Sequence, residues 1–158
     1  DIIELAQRLR QVLQARNWLA ATAESCTGGG VAYAITAISG SSAWFDRSFV
    51  TYTNEAKQQM LGVAASTLEK YGAVSEAVVR EMTAGTLAHS QANIAVAISG
   101  IAGPTGGSDE KPVGTVWIAW QTGEGRQHAQ HYLFSGDREQ VRLQAIREAL
   151  SGLLSFSK

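Results

Sequence analysis

The chain has 158 residues, 45% of them hydrophobic, with 13 Lys and Arg against 14 Asp and Glu. This length suits one domain with a substantial core, and the composition excludes an intrinsically disordered chain. A net charge of −1 supplies no long-range attraction for nucleic acid or an anionic membrane, so neither is an expected partner.

The longest apolar stretches, such as Val31–Ile38 and Ile94–Ile98, fall far short of the about 20 residues that span a bilayer. The opening Asp1–Leu5 is acidic and amphipathic and lacks the basic region of a signal peptide. A lone Cys26 excludes an internal disulfide, and there is no Asn-x-Ser/Thr sequon. The expected compartment is the cytoplasm.

In chain order, Ile2, Leu5, Ala6, Leu9, Val12 and Leu13 share one face of an opening helix that ends near Asn17. Leu19–Ala23 reads as a buried strand. Glu24-Ser25-Cys26-Thr27-Gly28-Gly29-Gly30 then turns into a small-residue helix over Val31–Ile38. Phe49–Thr53 reads as a second strand, followed by helices from about Glu55 to Leu61 and from Ser66 to Tyr71. Ser75 caps a longer helix to about Ser90. Ile94–Ser99 is a continuous apolar strand suited to the middle of a sheet. A Gly/Pro loop, Gly100–Pro112, leads to the strands Val113–Gln121 and Gln127–Phe134, a hairpin by the glycines between them. Asp137 caps a last helix, with Gln140 as its capping-box partner and Val141, Ala145, Ile146, Ala149, Leu150 and Leu153 as its buried stripe. Early strand–helix alternation with a late hairpin predicts a single domain over 1–158, a three-layer α/β/α sandwich around a mixed sheet.

Several chemistries are missing from the pattern. No CxxC, HExxH or clustered His/Cys spacing occurs, so no protein-held metal is expected, and no GxGxxG or P-loop signals a bound cofactor. Ser108–Lys111 and Ser155–Lys158 match Ser-x-x-Lys only by chance, since neither opens a buried helix. His89, His128 and His131 read as solvated or edge residues.

Ser25 stands at a strand-to-helix turn, where a hydroxyl can be exposed beside the free N–H groups of a helix N-terminus. Such donors can stabilise an oxyanion or hold a phosphate; the plainer role is that of a helix cap. Cys26 competes as a nucleophile but has no histidine partner and reads as a small buried side chain. A serine needs a base, and Lys57 can act as one if burial makes it neutral, with Tyr52 relaying the proton. The alternative is a solvated Lys57 on an exposed turn. Ser99–Gly107 follows a buried strand, where open α/β sheets bind ligands. Arg138 and Arg142, one turn apart at a helix N-terminus, call for an anion such as a phosphate, or else pair with Asp137 or Glu139.

Four ordered stretches carry a family resemblance: Thr22–Gly29, Tyr52–Lys57, Ser99–Gly107 continuing into Lys111–Val116, and Phe134–Arg138 with Arg142. Together they resemble the CinA C-terminal domain family, of competence/damage-inducible protein A, over nearly the whole chain. The resemblance implies hydrolysis of the carboxamide of nicotinamide mononucleotide to nicotinic acid mononucleotide and ammonia. It implies Ser25 as nucleophile, Lys57 as general base and Tyr52 as its assistant. It also implies substrate contacts from Thr27, Gly28, Asn54, Ser99, Gly100, Ala102, Gly103, Thr105, Arg138 and Arg142, with the small nucleotide as partner and neither metal nor cofactor. The alternatives are a non-catalytic nucleotide-binding or regulatory module and a serine amidohydrolase acting on another amide. A homo-oligomer is compatible with Trp44-Phe45 and the strand tryptophans, which serve equally well as core.

Overall fold

A computed structural model describes residues 1–158. Five strands form one sheet in the order β2-β1-β3-β4-β5, with β1 Ala20–Glu24, β2 Phe45–Val50, β3 Ile94–Gly100, β4 Thr115–Thr122 and β5 Gln127–Leu133. β2, β1 and β3 run parallel, whereas β4 is antiparallel to both β3 and β5. The mixed sheet is thus a parallel half closed by a hairpin, as the element order predicts.

The period of two along the strands sorts the two cores. Ile94, Val96 and Ile98 of β3 and Val116, Ile118 and Trp120 of β4 face one layer, formed by α1 Ile2–Arg16, α2 Gly30–Thr36 and α6 Arg138–Phe156. Ala23, Ala97 and Ala119 face the opposite layer. There α5 Glu76–Ala88 packs on the sheet, with α3 Asn54–Leu61 and α4 Ala65–Tyr71 beside it. Branched side chains fill the first gap and alanines admit α5 closely in the second, giving the three layers.

The helices begin and end where their caps stand. Thr53 accepts from Ala56 N at the start of α3, Ser75 from Val78 N at the start of α5, and Asp137 with Gln140 closes a capping box on α6. All six predicted stripe residues of α6 are buried. Trp44 and Trp120 belong to the core, 0% and 3% exposed.

One strand departs from its expected place. β2 spans Phe45–Val50 rather than Phe49–Thr53, paired with β1 from Ala20↔Phe45 to Glu24↔Val50. It is an edge strand, so it tolerates Asp46 and Arg47, whose charges conceal it in an apolar scan. The correction matters for the site, because Thr51–Thr53 leave the sheet and carry the chain over the strand ends into α3.

Candidate active site

The carboxyl ends of β1, β2 and β3 meet at a cavity of about 320 Å³. Such a position is where parallel α/β sheets bind ligands. It is lined by Ser25, Tyr52, Asn54, Lys57, Ser99, Gly100, Ala102, Gly103, Thr105 and Arg138, all singled out in the sequence, and by Cys26, Ala73, Val74, Ile101 and Gly106. Thr27, Gly28 and Arg142 stand apart from this lining, behind the turn that carries Ser25.

Strand periodicity explains how Ser25 and Lys57 meet. Glu24 ends β1 with its side chain toward α2, so the next residue points to the opposite layer, where α3 lies. Ser25 N donates to Ile98 O at 3.1 Å, and Thr51 N donates to Glu24 O at 2.9 Å. The peptide group joining Glu24 to Ser25 is therefore pinned on both sides, its N–H to β3 and its carbonyl to the residue that follows β2, at the point where the serine leaves the sheet. Thr51 also uses its carbonyl, which accepts from Lys57 Nζ at 2.9 Å, and the same Nζ lies 3.3 Å from Ser25 Oγ.

Lys57 is 1% exposed and Ser25 7%. No carboxylate lies within 4 Å of the ammonium; the chain's two salt bridges, Arg47–Asp46 and Arg80–Glu76, are elsewhere. Burial pushes Lys57 below the ordinary lysine value, and the neighbouring Cys26 acts in the opposite sense. Burial likewise pushes the Cys26 thiol up, to about 11, against the lowering influence of its own backbone amide and Arg142. At neutral pH the thiol thus keeps its proton, and a neutral lysine beside a serine can accept the hydroxyl proton. These placements decide two of the alternatives open in the sequence: Lys57 is not solvated, and Ser25 caps no helix, because the N-cap of α2 is Gly29.

Tyr52 is 59% exposed, and its hydroxyl accepts from Arg138 Nη2 at 3.0 Å rather than bridging Ser25 and Lys57. The serine and lysine are in direct contact, so the geometry requires no relay between them. Arg138 Nη1 also donates to Gly103 O at 2.8 Å, joining the tyrosine to the glycine loop across the rim of the cavity. Arg142 sits deeper, with Nη2 3.4 Å from Thr27 O and a buried Nε that has no partner. Neither arginine pairs with Asp137 or Glu139, so each keeps an uncompensated charge.

The expectation of free helix N-terminal amides at Ser25 is not met. Val31 N and Ala32 N donate at 2.9 and 3.0 Å to the carboxylate of Glu24, a residue to which the sequence patterns assign no role. Gly28 N and Gly30 N donate to Ser25 O and Thr27 O. The amides of Cys26 and Thr27 make no hydrogen bond to another backbone group. A lone acid closing the small-residue strand Ala20–Glu24 is the signal that could have exposed Glu24.

Fold and site define a class: an α/β sandwich whose parallel strands end on a buried serine–lysine pair, residue types able to serve acyl transfer as nucleophile and base. The chain belongs to the CinA C-terminal domain family, which matches residues 2–157. It is 56% identical over 153 residues to the nicotinamide-nucleotide amidohydrolase PncC of Escherichia coli, covering 97% of this chain and 93% of that protein. It is 52% identical over 155 residues to PncC of Pseudomonas putida, covering 98% and 96%. Among solved structures, competence/damage inducible protein CihA of Agrobacterium tumefaciens superposes with a TM-score of 0.98 at 46% identity, covering all of this chain and 96% of that one. The competence damage-inducible protein A of Klebsiella pneumoniae gives 0.94 at 45% identity, covering 98% and 96%.

Proposed function

We propose that this chain is a nicotinamide-nucleotide amidohydrolase, converting nicotinamide mononucleotide to nicotinic acid mononucleotide and ammonia in pyridine-nucleotide recycling. The observation that carries the chemistry is the contact between Lys57 Nζ and Ser25 Oγ, 3.3 Å apart and both buried at the strand ends. The choice of substrate rests on relatives of this name at 52–59% identity.

In this mechanism neutral Lys57 takes the Ser25 proton as Oγ attacks the carboxamide carbon, and returns it to the departing ammonia. A water, activated by the same amine, then hydrolyses the acyl-serine. The amides of Cys26 and Thr27 are the available donors for the tetrahedral oxyanion, since those of α2 are engaged by Glu24. Ser99, Gly100, Ala102, Gly103, Thr105 and Asn54 form walls against which the nucleotide packs. Arg138 meets its phosphate at the rim; Tyr52 orients Arg138. Thr27, Gly28 and Arg142 support the turn from behind. We place the reaction in the cytoplasm, in keeping with a single buried, unpaired cysteine.

The test is ammonia release from nicotinamide mononucleotide by wild type, Ser25→Ala and Lys57→Ala, with and without EDTA. Turnover is expected in the wild type, unaffected by EDTA, and lost in both variants. Turnover surviving Ser25→Ala would overturn the acyl-serine route. A wild type that binds the nucleotide without turnover would favour the regulatory module.

A further inference from the structure

Glu24 is 0% exposed, yet its carboxylate meets more donors than any other side chain near the cavity. Oε1 accepts from Thr27 Oγ1 at 2.8 Å and from Val31 N at 2.9 Å. Oε2 accepts from Ala32 N at 3.0 Å, and the hydroxyls of Thr22 and Ser48 lie 3.0 and 3.3 Å from it. No lysine or arginine stands within 4 Å, so the group is held by N–H and O–H dipoles alone. Two of the donors are backbone amides that can do nothing but donate, and the set is that of an acceptor-only carboxylate.

Burying a carboxylate is costly unless it is thoroughly hydrogen-bonded. Helix capping alone does not require it, because Ser, Thr, Asp or Asn at an N-cap serves a helix from the surface. Here the N-cap is Gly29, at φ 95°, with no side chain to offer. The capping oxygens come instead from inside the molecule, from the residue immediately before Ser25. Val31 and Ala32 are the second and third residues of α2, whose amides a cap satisfies.

The consequence is a closed ring. The chain leaves Glu24, makes the turn through Ser25 to Gly29, enters α2, and is tied back to Glu24 by residues 27, 31 and 32. The backbone bonds of the turn itself are Gly28 N to Ser25 O, 3.0 Å, and Gly30 N to Thr27 O, 2.9 Å, with Arg142 Nη2 3.4 Å from Thr27 O behind it. Thr22 and Ser48 fix the carboxylate to β1 and β2, so the ring is anchored to the sheet.

We infer that Glu24 is a positioning residue for the reaction: its carboxylate holds the Ser25 turn in register with Lys57 and keeps the amides of α2 away from the substrate. This rests on the amidohydrolase reading above. A nucleophile displaced by even about 1 Å loses on the order of 100-fold in rate, whereas the walls and Arg138, which hold the nucleotide, are untouched by Glu24.

The experiment is steady-state turnover of nicotinamide mononucleotide, with melting curves, for wild type, Glu24→Gln, Thr27→Val, Thr27→Ser and the remote core variant Leu153→Val. Glu24→Gln keeps the shape but turns an acceptor into a donor facing N–H groups. Its kcat should fall about 10–100-fold with KM within about threefold of wild type. Thr27→Val removes one donor and should lower kcat in the same sense, while Thr27→Ser restores it. Leu153→Val loses stability without losing kcat, separating position from stability. If Glu24→Gln does not fold, the Thr27 pair decides. Wild-type kcat in Glu24→Gln and Thr27→Val, or a loss that Leu153→Val reproduces at equal melting temperature, would overturn the inference. Failure of the wild type to turn over the nucleotide would overturn the function itself.

Discussion

A lysine with 1% exposure and no carboxylate within 4 Å is a stability cost that the fold sustains at its strand ends. Its ammonium gives up hydration for one carbonyl and one hydroxyl, which is why burial lowers its affinity for a proton. Below the folded value both folded and unfolded chains hold the proton, and the full cost is present. As the pH rises toward the ordinary lysine value of 10.5, only the unfolded chain holds it, and the cost disappears. Lys57→Met should therefore raise the melting temperature at neutral pH by about 2–4 °C for each 1 kcal/mol recovered, an advantage that fades as the pH approaches 10.5. The same variant should lose about 10²–10⁴-fold in turnover, the range of a general base. In the wild type, kcat/KM should rise with pH through an ionisation below 10.5 and level off once the amine is free. A melting temperature that falls in Lys57→Met, or a rate independent of pH, would count against the neutral-lysine mechanism.

At the scale of elements, α6 shows both how much the sequence discloses and where it stops. Its capping box, buried stripe and length follow from local rules, as do the caps of α3 and α5. Ser25, Lys57, the glycine loop and Arg138 were legible as candidates because turn position and residue chemistry single them out. β2 starts four residues before the place the apolar pattern gives it, because a half-exposed edge strand carries charges that break that pattern. The division of labour between Arg138 and Arg142 was not legible, because the facing of two residues one turn apart depends on how α6 docks on the sheet. The docking puts Arg138 at the rim and Arg142 against Thr27 and Gly28. Arg138 is the first residue of α6, where a cation opposes the helix dipole by about 0.3–1 kcal/mol. Arg138→Ala relieves that opposition but also loses the bonds to Gly103 O and Tyr52 Oη, so the melting temperature should fall slightly. Losing a charge-assisted contact of about 1.5–3 kcal/mol should raise KM for nicotinamide mononucleotide roughly 10–100-fold. KM for the uncharged-tail analogue nicotinamide riboside should hardly change. Equal effects on both substrates would remove Arg138 from the phosphate.

The whole molecule brings three layers to one opening. The serine comes from the end of the interior strand β1, the lysine from α3 in one layer, and Arg138 from α6 in the other, with the β3–β4 loop closing the side. These parts are far apart in sequence and touch one another at the cavity through few bonds, chiefly Lys57 to Ser25 and Arg138 to Tyr52 and Gly103. A nucleotide that spans carboxamide site and phosphate rim would add a second set of links across the layers. Its binding should thus stabilise the entire fold rather than one loop. Ser25→Ala, which binds without turnover in the proposed mechanism, allows this to be measured at equilibrium. At a nicotinamide mononucleotide concentration 100 times its dissociation constant, mass action stabilises the folded state by about 2.7 kcal/mol, which corresponds to roughly 5–10 °C in a domain of this size. Nicotinamide riboside at the same concentration should give a smaller shift, and adding Arg138→Ala should bring the two shifts together. Equal shifts with Arg138 intact would show that the rim makes no contact with the phosphate, and that the nucleotide is held by its nicotinamide end alone.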